Sequence, residues 1–153
     1  MMNVKAIKSQ LYARCLAYVD QRIETARTAM EAAQEAANSE TKSSAGDKYE
    51  TGRAMAQRER DMSAAQLAES LKLKKELEQI TADASYETVQ RGSLVMTDQG
   101  NFFISISAGK ITLEGVDYFA VSLASPLGNG LINRKAGEEV RVNNRWYRIM
   151  EVG

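Results

Sequence analysis

The sequence predicts an α+β fold, a long antiparallel two-helix coiled coil followed by a small domain with a mostly antiparallel sheet, and three observations carry that reading. From Asn3 to about Asn38 there is neither glycine nor proline, and apolar residues recur in steps of three and four. A second stretch, Lys48 to about Ile80, is rich in Ala, Met, Gln, Arg, Glu, Leu and Lys, all good helix formers. From about Thr88 the texture changes to short β-prone runs separated by turn residues.

The first helix carries a heptad seam at Leu16, Val19, Ile23, Ala26, Met30, Ala33 and Ala37. Val4, Ile7 and Leu11 form a similar stripe in a different phase, which predicts a seam shift near Cys15. Alanine dominates the far half, so a partner helix can approach closely while little area is buried per residue. The second helix has a looser pattern at Tyr49, Met55, Met62, Leu67, Leu71, Leu73, Leu77 and Ile80. Each helix should reach roughly 50 Å at 1.5 Å per residue. The short connection "SSAGDKYETG", residues 43–52, makes them antiparallel neighbours. This divides the chain into a coiled-coil hairpin over 1–84, with its tip at about 39–52, and a C-terminal domain over 85–153.

In the C-terminal part, "SLVMT" and "NFFISIS" read as a hairpin turning at Asp98–Gly100. "KITLEG" and "DYFAVSLA" continue the strands. "EEVRV" and "RWYRIMEV" make a further hairpin, whose Asn143 and Asn144 tolerate positive φ. Between them lies "SPLGNGLINRKAG", where Ser125 suits an N-cap and Pro126 the first helical position.

Composition excludes several function classes. The 20 basic and 20 acidic residues cancel, and they do so in each part, 13 against 13 up to Ser85 and 7 against 7 from Tyr86. The cationic field of a nucleic-acid or polybasic membrane module is missing. With no histidine and one cysteine, the usual zinc sites, CxxC pairs, Ser-His-Asp triads and Cys-His dyads cannot be assembled. Cys15 sits in the apolar-rich run Leu11 to Val19 and reads as a buried or half-buried small hydrophobe. One unpaired cysteine suits a reducing compartment, no apolar run nears ~20 residues, and the N-terminus lacks an apolar h-region. A cytoplasmic protein without membrane contact is expected.

"VSLASPLGNGLINRKAGEEV" resembles the signature of the C-terminal domain of the bacterial Gre transcript cleavage factors, GreA and GreB. The matching residues are Ser125, Pro126, Leu131, Ile132, Gly137 and Val140. A long helical hairpin ahead of that domain is also the family's layout, so the resemblance spans nearly the whole chain and is motif-specific from Val121 to Val140. It implies an FKBP-like C-terminal domain that docks on RNA polymerase at the rim of the secondary channel. It further implies that the hairpin enters the channel, where tip acids help hold a magnesium ion at the polymerase active centre. The polymerase then hydrolyses its own backtracked RNA. On this resemblance the chain is no enzyme, binds no cofactor stably, shares Mg2+ with the polymerase, and meets nascent RNA or DNA only inside that complex.

Asp47 and Glu50 are the candidate metal ligands, with Glu40 behind them, because magnesium prefers oxygen donors. The same pair has capping-box spacing, so capping of the second helix is the competing role. Cleavage factors carry Asp-x-x-Glu followed by Asn-Ala-Glu-Tyr. With their tyrosine on Tyr49, the acidic positions fall on Lys42, Ala45 and Lys48. The expected docking surface is the 125–132 loop and helix, namely Ser125, Pro126, Leu127, Leu131 and Ile132, with Asn133 beside it, on the expectation that "GNG" leaves backbone exposed.

Lys72, Lys74 and Lys75 read as a solvated helix face, the seven methionines as adaptable packing, and one of Trp146 and Tyr147 as core-facing. Three other functions compete. A cleavage-incompetent channel occupant would modulate transcription without stimulating cleavage. A coiled-coil adaptor unrelated to transcription would assemble two or four chains through the alanine-rich seam. A prolyl isomerase would need an aromatic-lined pocket, for which the short C-terminal domain shows no signature.

Overall fold

The computed structural model describes residues 3–40 and 47–153, with the side chains of residues 40 and 47–50 outside that description. Its class is α+β. Helices α1 (Val4–Glu40) and α2 (Asp47–Glu78) precede strands β1 (Leu94–Thr97), β2 (Gly100–Ser105), β3 (Gly109–Leu113) and β4 (Val116–Ser122). Helix α3 (Pro126–Leu131) and strands β5 (Glu139–Val142) and β6 (Arg145–Val152) complete the chain. Contacts group these residues into two compact units, Met1–Tyr18 with Lys75–Gly153, and Val19–Lys74.

Within the unit Val19–Lys74 the helices run antiparallel. Lys74 Nζ lies 2.9 Å from Asp20 Oδ1, and Arg60 shares a cleft with Glu31 and Glu35. The buried positions of α1 here are Val19, Ile23, Ala26, Ala33 and Ala37, on the heptad that the sequence predicts. Those of α2 in this unit, Ala56, Ser63 and Ser70, are seven residues apart, while Met55, Met62 and Leu71 face outward. Of the loose apolar pattern read for the second helix, Leu67 and Leu73 are half-buried and Leu77 and Ile80 are buried, but within this unit the fully buried positions are its small residues. Ser70 tolerates burial because its hydroxyl donates to the Gln66 carbonyl at 2.8 Å.

In the other unit, the start of α1 buries Ile7, Lys8, Leu11 and Cys15 in steps of one, three and four. Asn3 starts the helix, its side chain accepting from the Ala6 amide at 2.8 Å. The seam passes through Cys15, which is fully buried, and leaves Leu16 half-buried.

The six strands form one sheet in the order β3-β4-β2-β1-β6-β5. All neighbours are antiparallel except β2 and β4, which pair in parallel. That pairing inserts β4 between β3 and β2, a long-range arrangement that no local turn encodes. The tight turns do match local chemistry: Asn143 and Asn144 adopt φ of 51° and 66°, and Glu114 and Gly115 adopt 47° and 78°. One face of the sheet buries Val95, Phe102, Ile104, Val140 and Ile149 against Val89 and Leu131. Alternation puts Phe103, Ser105, Tyr118 and Ala120 on the other face, where Ser105 Oγ meets Cys15 Sγ at 3.7 Å. Burial raises the Cys15 thiol pKa above its ordinary value, with the Ser105 contact opposing, so the group behaves as core. Among the described residues, no helix is long and apolar enough to cross a membrane.

Candidate functional site

Two regions were expected to act. At the tip, α2 begins at Asp47 and α1 ends at Glu40; residues 41–46, with the side chains of Glu40, Asp47 and Glu50, lie outside the described residues. Among the described residues no cluster of three acids or other metal-ligating groups occurs.

The loop and helix from Ser125 to Asn133 are built in full. Ser125 is extended, with φ −70° and ψ 154°, and its Oγ accepts from the Gly128 amide at 3.1 Å. The same hydroxyl donates to the Ser122 carbonyl at 2.6 Å, tying the cap to the end of β4. Pro126 opens the helix, where its missing N–H costs nothing. Ile132 closes it by donating its amide to the Gly128 carbonyl at 3.1 Å. Asn133 takes φ 66°, and its amide donates to the Val89 carbonyl at 2.8 Å.

These bonds sort the candidate residues. Pro126 and Asn133 are exposed; Ser125, Leu127 and Ile132 are half-buried; Leu131 is 0% exposed and belongs to the core. The helix thus presents a short rim around Pro126 and Asn129, with Leu127 packed partly against the core. The two glycines serve packing. Gly128 is buried, and a Cβ there would sit 2.0 Å from the Ser122 carbonyl oxygen. A Cβ on Gly130 would meet Val142 Cγ2 at 2.6 Å. The expectation that "GNG" leaves backbone open is therefore corrected at Gly128: no side chain fits between α3 and the end of β4.

Two further features, at Lys8 and Tyr118, were not read from sequence, whereas the division of the Trp146–Tyr147 pair was. Lys8 is 1% exposed, donates from Nζ to the Ala84 carbonyl at 2.6 Å, and lies 4.8 Å from the Tyr86 ring centroid. Burial lowers its pKa, and the Asp83 carboxylate partly restores it. An isolated lysine on a helix face carries no signal of this; only the tertiary position of residues 83–86 creates it. Tyr118 is 4% exposed, and burial followed by the Glu114 charge raises its pKa. Of the Trp146–Tyr147 pair, Tyr147 packs edge-on to Phe102 at 6.0 Å, while Trp146 stays 58% exposed. A cleft of about 530 Å³ is lined by Asp98, Gly137, Arg148, Ile149 and Met150. No family model matches the chain, and no curated protein matches it.

Proposed function

We propose that the chain is a Gre-like regulator of transcription elongation. It binds RNA polymerase through its C-terminal domain and inserts the hairpin tip into the secondary channel. The observation that supports this most directly is the agreement between the motif and its local architecture. The stretch that resembles the Gre signature is a Ser-capped, Pro-initiated helix between two strands of a small sheet domain, behind two long antiparallel helices. The exposed rim of that helix, Pro126 and Asn129 with half-buried Leu127, together with exposed Asn133 just after it, is the proposed contact with polymerase.

The chain's own part is positional. Helices 37 and 32 residues long reach about 55 and 48 Å at 1.5 Å per residue, a length that supports insertion into a channel. Asp47 and Glu50, in the first turn of α2, would add oxygen ligands to a magnesium ion held mainly by the polymerase, and that ion supplies the Lewis acidity for RNA hydrolysis. A second reading within this class follows from Lys42, Ala45 and Lys48 at the family's acidic positions: a channel occupant that modulates transcription without stimulating cleavage.

Binding to core RNA polymerase, with and without a known secondary-channel ligand as competitor, tests the class. Competed binding supports it; absence of binding removes it and leaves a coiled-coil adaptor. Asp47→Ser then separates the two readings, since serine caps a helix but does not act as a carboxylate ligand. Loss of cleavage stimulation in a folded, binding variant supports the metal role. Competed binding without stimulation by the wild-type chain supports the modulator.

A further inference from the structure

Among the described residues, the β5–β6 hairpin has an exposed face. Trp146 and Met150 are 58% and 65% exposed, large values for residues on a strand rather than at a loop tip. Ile149 and Val140 point into the core, so alternation sends Trp146, Arg148, Arg141 and Glu139 to the opposite side. Met150 joins them at the register shift between β6 and β1, and four residues of strand put it about 13 Å from Trp146. Trp, Arg and Met are the residue types that anchor protein interfaces, and contiguous exposure of this kind marks an interaction surface.

The register identifies the occupant. Across the hairpin, Arg141 stands opposite Trp146, and Glu139 stands opposite Arg148. Each rung joins two side chains that attract one another: a guanidinium with an indole, and an acid with a base. A two-fold axis parallel to the hairpin and midway between its strands exchanges β5 for β6. It therefore lays each Arg141 over Trp146 of the second copy, and each Glu139 over Arg148 of the second copy. The face is complementary to itself, the requirement for a closed isologous pair. Two sheet faces pack in this way about 10 Å apart with their strands nearly aligned.

We propose that the exposed face of β5–β6 is the interface of a symmetric homodimer, with Trp146 stacked under Arg141 and Glu139 paired with Arg148 across the two-fold axis. The proposal does not rest on the polymerase reading and concerns a surface other than the α3 rim.

Trp146 is the only tryptophan, so its emission reports this surface directly. The expected result is a blue shift of emission with rising protein concentration, parallel to a doubling of mass by sedimentation equilibrium. Glu139→Arg and Arg148→Glu, each on the exposed face, should each raise the dimer dissociation constant about tenfold or more by opposing like charges. The double reversal should recover most of the loss, which a merely unfolded or destabilised variant would not do. A monomer with unchanged emission at several hundred micromolar overturns the proposal. So does a dimer that ignores both single reversals, because its contact then lies elsewhere. Emission that shifts only on addition of core RNA polymerase would assign the face to that partner and likewise overturn the homodimer.

Discussion

Lys8 allows the sharpest test of how the sheet-bearing unit is held together. Its stem is buried, and its ammonium group ties the first turns of α1 to the Ala84 carbonyl and the Tyr86 ring. Lys8→Met keeps most of the stem and removes the donor. Leaving a half-buried carbonyl unsatisfied costs ~1–3 kcal/mol, and losing the ring contact adds ~0.5–1. Relief from holding a charge out of water offsets part of this, since burial outweighs the attractive terms and lowers the Lys8 pKa. The net loss expected at pH 7 is about 1–2 kcal/mol, or ~2–8 °C in Tm for a protein of this size. Lys8→Ala should cost ~2 kcal/mol more, from methylenes no longer buried.

The pH dependence has a definite sign. The folded pKa of Lys8 lies below its ordinary 10.5, with Asp83 and Tyr86 the ionisable neighbours. Between those two values the unfolded chain holds the proton that the folded chain has released, so rising pH stabilises the fold until 10.5 is passed. The stability difference between wild type and Lys8→Met should therefore widen as pH climbs toward 10.5. Urea unfolding followed by Trp146 emission, a probe in the same compact unit as Lys8, measures it. A loss under about 0.5 kcal/mol at pH 7, or a difference that narrows with pH, would refute the reasoning.

Gly128→Ala places a methyl 2.0 Å from the Ser122 carbonyl oxygen, so it should cost ~3 kcal/mol or more, or displace α3 visibly in amide chemical shifts; a neutral substitution contradicts the packing described. Ser125→Ala removes the cap bonds to Gly128 and Ser122 and should lose ~1 kcal/mol by urea denaturation, with Ser125→Asp recovering part of it. Tyr118 ionises above its ordinary 10.0 when folded, so stability should fall as pH rises from 10.0 toward that higher value. Tyr118→Phe should abolish this component of the pH profile, read as the difference between the two unfolding curves.

What the sequence reveals follows how far apart the deciding contacts lie. Both long helices and the β1–β2 and β5–β6 hairpins are written in neighbouring residues, through heptad spacing, turn residues and positive-φ asparagines. The cap of α3 is local too: Ser125 and Pro126 announce it. The parallel β2–β4 pairing is not, because it joins residues about 17 positions apart without a turn to signal it. The loose apolar pattern of the second helix is legible only in part: Leu77 and Ile80 are buried, but where the helices approach closely small residues make the contact, so Ser63 and Ser70 are buried while Met55 and Met62 are not. At the site, the sequence identifies α3 but not that Leu131 is wholly core or that Gly128 is a spacer, since both depend on strands far along the chain.

That small-residue seam has a dynamic consequence within α1. Its opening turns bury Ile7, Leu11 and Cys15 alongside Lys8, whereas the stretch from residue 26 buries Ala26, Ala33 and Ala37. An isoleucine or leucine removes several times the apolar area that an alanine does, worth about 1.5–3 kcal/mol each when fully buried. Exposed ion pairs such as Lys74–Asp20, with side chains 37% and 49% accessible, add ~0–1 kcal/mol and do not close the gap. Local opening of the alanine-lined stretch should accordingly cost less than opening of the first turns, although both form one helix by hydrogen bonding. Native-state amide exchange along α1 should show protection factors falling by about tenfold or more from residues 7–15 to residues 30–37. Replacing Ala33 by leucine would test the cause as well as the effect. If close approach limits the seam, the larger side chain fails to raise protection, because it forces the helices apart. If burial alone is limiting, protection over 30–37 rises, and the seam's small residues are then not what sets the helix spacing.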